Sequence, residues 1–316
     1  MAKYNIYVSD GLSEDGLAIL REAGTVTSNP KVTPEELAAV LPEYDALIVR
    51  SRTKVKGALL NACSNLKVVG RAGVGVDNID VAGALDKGIT VVYSPMAASV
   101  AVAEHTLGLM LALARSIPQA DATIKAGRWE KSAFVGNELF GKKLGILGIG
   151  RIGAHVAHMA DAFNMKISAY DPNLNEDQIK ERGAEPVSFE ELLASSDYIT
   201  LHLPLTSGTR GLLGTAQFHA MKKGARLVSI SRGAVIDEVA LRETLDSGQL
   251  AGAALDVFVD EPPQPGSIAE HPRVISTPHI GAQTHEAQTR AGLAIAEEVL
   301  TVLNGNEPRW KVVKND

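Results

Sequence analysis

A chain of 316 residues is long enough for two domains, each with an apolar core of its own. A hydrophobic share of 45% and a charged share of 22% are ordinary for a globular protein, and a net charge of −6 argues against a nucleic-acid partner, whose phosphates recruit basic surfaces. Aromatics supply only 4% of residues while glycine supplies 29 of them, a balance that favours close-packed α/β layers over an aromatic-rich β-sandwich.

From Met1-Ala2-Lys3-Tyr4 the chain passes straight into the strand-like run Ile6–Val8, so no signal peptide is expected. A helix is predicted from about Ser13 to Ala23. Thr33-Pro34-Glu35-Glu36 then reads as a capping box with proline at the first helical position. Strands are predicted at Ala46–Val49, Leu66–Gly70 and Thr90–Val92, completing a small first sheet. The single cysteine, Cys63, has no disulfide partner in the chain and reads as a small buried hydrophobe, and no Cys/His spacing suggests a metal site.

The apolar stretch Met96–Ala114 is interrupted by Glu104 and His105. A helix near Ser99–Ala114, apolar almost all round, is expected to be buried between domains or subunits rather than in a membrane. Strands follow at Lys143–Gly148, Lys166–Asp171, Tyr198–Leu201, Ala225–Ser229, Ala251–Asp256 and Val274–Ser276, six in all, with helical patterns between them. The last helical run, about Thr284–Leu303, has no strand after it and is expected to cross back onto the first domain.

Leu144–Leu147 leads into Gly148-Ile149-Gly150-Arg151-Ile152-Gly153, and an apolar-periodic helix follows. A strand, a Gly-x-Gly-x-x-Gly turn and a helix together form a dinucleotide fingerprint. Gly148 permits the tight turn, Gly150 lets backbone approach a pyrophosphate, and Gly153 lets the helix pack on the sheet. Arg151 and Ile152 open the helix, whose N-terminus offers free N–H groups to the anion. Asp171 ends the next strand at roughly the expected 20-residue offset and would accept hydrogen bonds from ribose hydroxyls. A 2′-phosphate would meet a like charge there, and Pro172-Asn173 brings no arginine, so NAD is favoured over NADP. The expected fold is α/β with two doubly wound parallel-sheet domains. A Rossmann-type cofactor domain, residues 99–284, is inserted in a flavodoxin-like substrate-binding domain built from residues 1–98 and 285–316.

Three side chains follow predicted strands at their carboxyl ends, where ligands bind in open α/β sheets. They are Arg232 in Ser231-Arg232-Gly233, Glu261 after Asp256–Asp260, and His279 in Pro278-His279-Ile280-Gly281. Oxidising a hydroxy acid needs a cation for the carboxylate, a proton carrier working near neutral pH, and an acid to orient that carrier. His202 also ends a strand, but no arginine and carboxylate accompany it. His105, His155, His158 and His219 fall on predicted helices and read as packing or surface residues.

Four segments together resemble the D-isomer-specific 2-hydroxyacid dehydrogenases: Gly148–Gly153, Arg232–Glu238, Asp256–Pro262 and Pro278–Gly281. The resemblance covers essentially the whole chain, in the family's order. It implies His279 as acid/base, Glu261 as its partner and Arg232 as the clamp on the substrate carboxylate and carbonyl oxygen. It also implies Asp256 at the nicotinamide end. Ile230, Ser231, Leu203, Pro204, Gly281 and Ala282 are implied beside the cofactor. Arg71-Ala72-Gly73-Val74-Gly75-Val76-Asp77-Asn78 and Leu47–Ser51 resemble the branch of the family that acts on 3-phospho-D-glycerate. By that likeness Arg50, Ser51, Arg71, Val74 and Gly75 would contact substrate, the two arginines suiting an extra phosphate dianion.

One departure bears on the substrate. After Pro95 stands Met96-Ala97-Ala98-Ser99, where that branch usually carries an asparagine- and glycine-containing segment. Ser229, in place of a frequent asparagine, is a milder change. The alternatives are hydroxypyruvate or glyoxylate reduction, or oxidation of a sulfolactate-type acid. A redox-sensing binding module would need no catalytic trio. The chain stops soon after Leu303, so feedback by serine through a C-terminal regulatory domain is not expected. A homodimer or dimer of dimers in the cytoplasm is expected, with a small 2-hydroxy or 2-oxo acid as partner and neither nucleic acid nor membrane.

Overall fold

A computed structural model describes residues 3–313. Met1, Ala2 and residues 314–316, which close the expected segments 1–98 and 285–316 and carry part of the signal-peptide reading, lie outside the described residues. The chain divides into two compact units, Met1–Ala98 with Gln283–Asp316, and Ser99–Ala282.

The first unit holds β1 (Tyr4–Val8), β2 (Gly24–Ser28), β3 (Ala46–Val49), β4 (Val68–Arg71) and β5 (Thr90–Tyr93). They form a parallel sheet in the order β2-β1-β3-β4-β5, the flavodoxin-like order. The central strand β3 is buried along its whole length, as helices on both faces require. β2 is absent from the sequence reading. It is an edge strand with no fully buried residue, so Gly24-Thr25-Val26-Thr27-Ser28 has no apolar run to announce it. The closing helix His285–Leu303 packs on helix Glu14–Ala23 and under the sheet, burying Ile295, Ala296 and Val299 completely. Burying Ile295 and Val299 contributes about 1.5–3 kcal/mol each before chain entropy. The crossing depends on two small residues, because a Cβ on Gly16 would stand 2.6 Å from the carbonyl oxygen of Gly292.

The second unit holds β6 (Lys143–Leu147), β7 (Lys166–Tyr170), β8 (Glu185–Pro186), β9 (Tyr198–Leu201), β10 (Ala225–Ser229), β11 (Leu250–Leu255) and β12 (Val274–Ser276). Their order is β12-β11-β10-β9-β6-β7-β8, a doubly wound sheet that reverses direction beside β6. The seven strands exceed the six expected by β8, a two-residue edge pairing that no periodicity could signal. One face of β9–β11 carries Ile199, Leu201, Leu227 and Leu255 into the main core with Phe218. The other face lies under helix Ser99–Arg115, which packs on helix Arg151–Asp161 and on β10 and β11. Among the described residues no single helix is long and apolar enough to cross a membrane. Ser99–Arg115 and Ile117–Lys125 reach that length only as a pair bent by 65°.

Candidate active site

The glycine turn follows β6 at the point where the strand order reverses. Gly148 has φ +85°, and a Cβ there would stand 2.8 Å from a methyl of Leu203 and 2.9 Å from the carbonyl oxygen of His202. A Cβ on Gly153 would meet the Gly148 carbonyl oxygen at 2.4 Å, so this helix packs against the turn only with glycine. Beside Gly150 nothing lies within 4 Å, and helix Arg151–Asp161 has no side chain capping its first N–H groups. Open space facing uncapped helix donors is what a pyrophosphate requires.

Asp171, directly after β7, accepts a hydrogen bond from its own loop at Asn173 N (3.0 Å) and pairs with no cation among the described residues. It is therefore free for ribose hydroxyls. The turn, the uncapped helix and this acid fit NAD. Arg182, absent from the sequence reading, donates to the carbonyl of Ile149 at 2.7 Å and braces the turn from a distant loop. Ile230 and Ser231 are buried just past β10, Leu203 flanks Gly148, and Pro204 follows it at the surface.

The proposed catalytic side chains all belong to the second unit. His279 Nδ1 lies 2.7 Å from Glu261 Oε2, and both side chains are near half-exposed. Glu261 Oε1 also accepts from the Phe258 amide at 3.2 Å. Burial pushes the Glu261 carboxyl up. The His279 hydrogen bond and charge, the Phe258 amide and the Arg232 charge outweigh that, so the carboxyl sits below the usual glutamate range. With Nδ1 committed to Glu261, His279 Nε2 makes no hydrogen bond among the described residues and remains for substrate. Arg232 is partly buried after β10 and donates to its neighbour's carbonyl at Ser231 (2.7 Å). Gly233 lets its loop touch the next one, since a Cβ there would meet Phe258 backbone at 2.0 Å.

Asp256 holds the turn that carries His279. Its side chain is fully buried, and it accepts from Thr277 Oγ1 (2.6 Å), Ile280 N (2.9 Å) and Gly281 N (2.8 Å). His105 Nε2 lies 3.2 Å from Thr277 Oγ1 and 3.5 Å from Asp256 Oδ1. Burial raises the Asp256 carboxyl, but the hydrogen bonds from His105, Thr277, Ile280 and Gly281 prevail and hold it low. His279 itself sits at φ +53°, a conformation that L-residues with a Cβ seldom adopt unless their neighbours fix it. The two amides after His279 are fixed by Asp256, and Gly281 is packed against Ile230 and Asp256 with the exposed Ala282 beyond. His105, expected to be a packing or surface residue, thus makes a polar contact with the turn as well. Its tie to Thr277 spans 172 positions in sequence, and no local pattern could have revealed it.

His202 lies beside the glycine turn, and burial pushes its imidazole down to about 4. Its Nε2 is buried with no hydrogen-bond partner among the described residues, so it stays neutral and takes no place in the trio. Cys63 is buried and its thiol is pushed up to about 11, which makes it unreactive. Among the described residues no group of three His, Cys, Asp or Glu could hold a metal ion.

In the first unit, Arg50 directly follows β3 and Arg71 ends the neighbouring strand β4. Asp10, almost fully buried, accepts from Arg50 N (2.7 Å), Thr53 N (3.0 Å) and Arg52 Nε (3.1 Å). Arg52 is thereby spent inside the unit. Asn78 donates to the carbonyls of Arg50 and Thr53, tying the Arg50-Ser51 loop to the loop containing Val74 and Gly75. Gly73, at φ +149°, leaves room for the Arg71 guanidinium, which a Cβ would strike.

A Rossmann-type unit with an imidazole–carboxylate pair and an arginine at its strand ends defines a nucleotide-dependent dehydrogenase architecture. Residues 107–281 match the family described as D-isomer specific 2-hydroxyacid dehydrogenase, NAD binding domain, and the chain belongs to that family. It is 49% identical over 301 residues to a D-3-phosphoglycerate dehydrogenase of Methanocaldococcus jannaschii, covering 95% of this chain and 57% of that protein. It is 46% identical to one of Bacillus subtilis, covering 96% and 57%. The chain thus spans little more than half the length of these curated relatives. Among solved structures, a glyoxylate reductase of Paecilomyes thermophila aligns over the full length of both chains with a TM-score of 0.89 at 32% identity. A D-lactate dehydrogenase of Aquifex aeolicus, complexed with NAD and lactic acid, aligns over 96% of both with a TM-score of 0.83 at 29% identity.

Proposed function

We propose that this chain catalyses NAD-dependent hydride transfer at C2 of a D-2-hydroxy acid, with 3-phospho-D-glycerate and 3-phosphohydroxypyruvate as the substrate pair. The observation that carries this reading is the 2.7 Å pairing of His279 Nδ1 with Glu261, which leaves Nε2 for a hydroxyl. Gly148, Gly150, Gly153, the helix opening at Arg151 and Ile152, and Asp171 would hold the dinucleotide. Held there, the dinucleotide would supply the hydride acceptor for oxidation at C2 and the hydride donor for reduction.

In oxidation His279 takes the C2 hydroxyl proton on Nε2 as the carbonyl forms; in reduction it returns that proton to the carbonyl oxygen. Glu261 fixes the imidazole orientation through Nδ1. Arg232 holds the carboxylate with its planar fork and stabilises charge on the adjacent oxygen. Asp256, through the Ile280 and Gly281 amides, sets where the imidazole stands. Arg50 and Arg71, with Ser51, Val74 and Gly75, serve the remainder of the substrate and its phosphate. The relatives bearing the phosphoglycerate name support that choice, as do the two arginines.

Hydroxypyruvate, glyoxylate or a sulfolactate-type acid is the second reading. Met96, 54% exposed where the phosphoglycerate branch usually has a polar segment, favours it. Steady-state kcat/KM for phosphohydroxypyruvate against hydroxypyruvate decides between them. A preference of at least tenfold for the phosphorylated acid is expected, and equal efficiency would defeat the first reading.

A cytoplasmic setting accords with a chain whose one cysteine is buried and free. Self-association, as a homodimer or dimer of dimers, is proposed through the helix Ser99–Arg115. Its Leu107 and Leu111 line a shallow apolar depression of about 560 Å³ with Met159 and Phe163. Light scattering that finds only monomer at micromolar concentration rules this out.

A further inference from the structure

A cavity lies in the second unit at the amino-terminal ends of its strands, opposite the strand ends that carry Arg232 and His279. It has a volume of about 240 Å³ and sits where β10, β11 and β12 begin, beside the last turns of helix Ser99–Arg115. Its lining includes the apolar residues Leu113, Phe134 and Ile275 together with Arg226 and Arg273. The lining contains no Asp, Glu, His or Lys. In a chain of net charge −6, two arginines with no acid between them make a local excess of positive charge.

The walls are fixed. Gly252 lies close under the next strand, because a Cβ there would stand 3.1 Å from the carbonyl oxygen of Arg273. The loop carrying Phe134 is tied to the helix end by Asn137 N donating to the Ala114 carbonyl (2.9 Å), and Gly136 allows the approach. The cations are under-used. The Arg226 side chain makes no hydrogen bond or ion pair among the described residues. It lies over the ring of Tyr198 at 5.6 Å, and the Tyr198 hydroxyl is itself buried with no partner. Arg273 gives one N–H to the carbonyl of Leu245, and its other side-chain N–H groups make no hydrogen bond among the described residues.

We propose that this cavity is a second, non-catalytic binding site for a small carboxylate carrying an apolar group. The anion would take the free N–H groups of Arg226 and Arg273, and the apolar body would lie on Leu113, Phe134 and Ile275. No proton carrier lines the cavity, so it binds without reacting. Arg226 is the second residue of β10 and Arg232 lies three residues beyond its last, Ser229, so the length of the strand separates the two. A ligand here therefore does not compete for the catalytic arginine.

The test uses 4-fluorobenzoate as the probe, followed by ¹⁹F line broadening on the protein saturated with NAD. A dissociation constant on the order of millimolar is expected for so small an anion. Arg226→Gln and Arg273→Gln should each weaken binding about tenfold, as loss of a charged hydrogen-bond partner does. Arg226→Lys, which keeps charge but not the fork, should fall between wild type and glutamine. Neutral 4-fluorobenzamide should bind at least tenfold more weakly, and Arg232→Gln should leave the constant unchanged. The proposal is overturned by no binding at 20-fold the expected constant, by indifference to both arginine substitutions, by equal affinity for the amide, or by loss of binding in Arg232→Gln. Should a glutamine variant fail to fold, the lysine variant and the amide decide the outcome alone.

Discussion

Each unit places one buried aspartate just past a strand and uses it to organise the loops that carry cations, yet the two aspartates are neutralised differently. In the first unit Asp10 accepts backbone donors from Arg50 and Thr53 and is also paired with Arg52 at 3.1 Å. In the second unit Asp256 accepts the Ile280 and Gly281 amides and the Thr277 hydroxyl, with no arginine among the described residues, and its basic neighbour is the imidazole of His105 at 3.5 Å. Asp10 thus holds its loops with a permanent counter-charge. Asp256 leaves a buried negative charge next to the turn of the proton carrier, supported mainly by neutral donors. A pairing made for packing can be fully balanced. One at a site where charge moves is left open to what binds there.

The largest expected effect removes the group that Asp256 positions. His279→Gln should lower kcat by about 10²–10⁴-fold, the usual worth of a placed acid/base, with NADH affinity within a factor of two of wild type. Retained turnover would break the comparison, since Asp256 would then be organising a turn with no chemical task. Next comes the pair of aspartates themselves. Asp256→Asn presents an NH₂ or a single carbonyl to two amides and a hydroxyl. It should cost on the order of 1–3 kcal/mol in urea unfolding and lower kcat as well. Asp10→Asn should cost stability on the same scale yet leave kcat for an unphosphorylated acid nearly unchanged. If both variants lose turnover alike, the two aspartates do not differ in the way drawn here.

A smaller effect is expected from the cations that Asp10 helps to place. Arg50→Met and Arg71→Met should each raise KM for phosphohydroxypyruvate about tenfold at similar kcat, and should hardly alter KM for hydroxypyruvate. Equal changes for both acids would assign these arginines to the shared carboxylate instead.

The comparison also shows what was legible in the sequence. The strands β6, β7, β9, β10 and β11, the Gly148–Gly153 turn and the three catalytic candidates stand in local contexts, a strand run followed by a turn residue or a charge. Periodicity and glycine spacing express these directly. Asp10, His105, Thr277 and Arg182 act through partners 21 to 172 positions away, counted for example from Asp256 to Thr277 and from His105 to Thr277. Nothing adjacent marks them. The edge strands β2 and β8 escaped for a different reason. They bury little, and hydrophobic patterning registers burial rather than hydrogen bonding.

The smallest expected effect lies with His202, a third group whose charge the second unit refuses altogether. Its imidazole is pushed from 6.5 to about 4 by burial, and Nε2 finds no partner. In the unfolded chain the same ring takes a proton near pH 6.5, so between pH 6.5 and about 4 the unfolded state binds more protons than the folded one. Stability is therefore full above pH 6.5 and declines as the pH falls, with His202 supplying a slope of at most about 1.4 kcal/mol per pH unit, and the contribution levels off below about 4. Glu261 and Asp256, both held low, keep their full stabilisation above the ordinary carboxylate range and lose it as the pH falls from there through their depressed values. Urea unfolding of His202→Asn from pH 7 to 5 should show a flatter profile than wild type, and identical slopes would mean that the ring gains its proton in the folded state without penalty. Because the carboxylates are not yet titrating there, this interval isolates the histidine from the organising aspartates of both units.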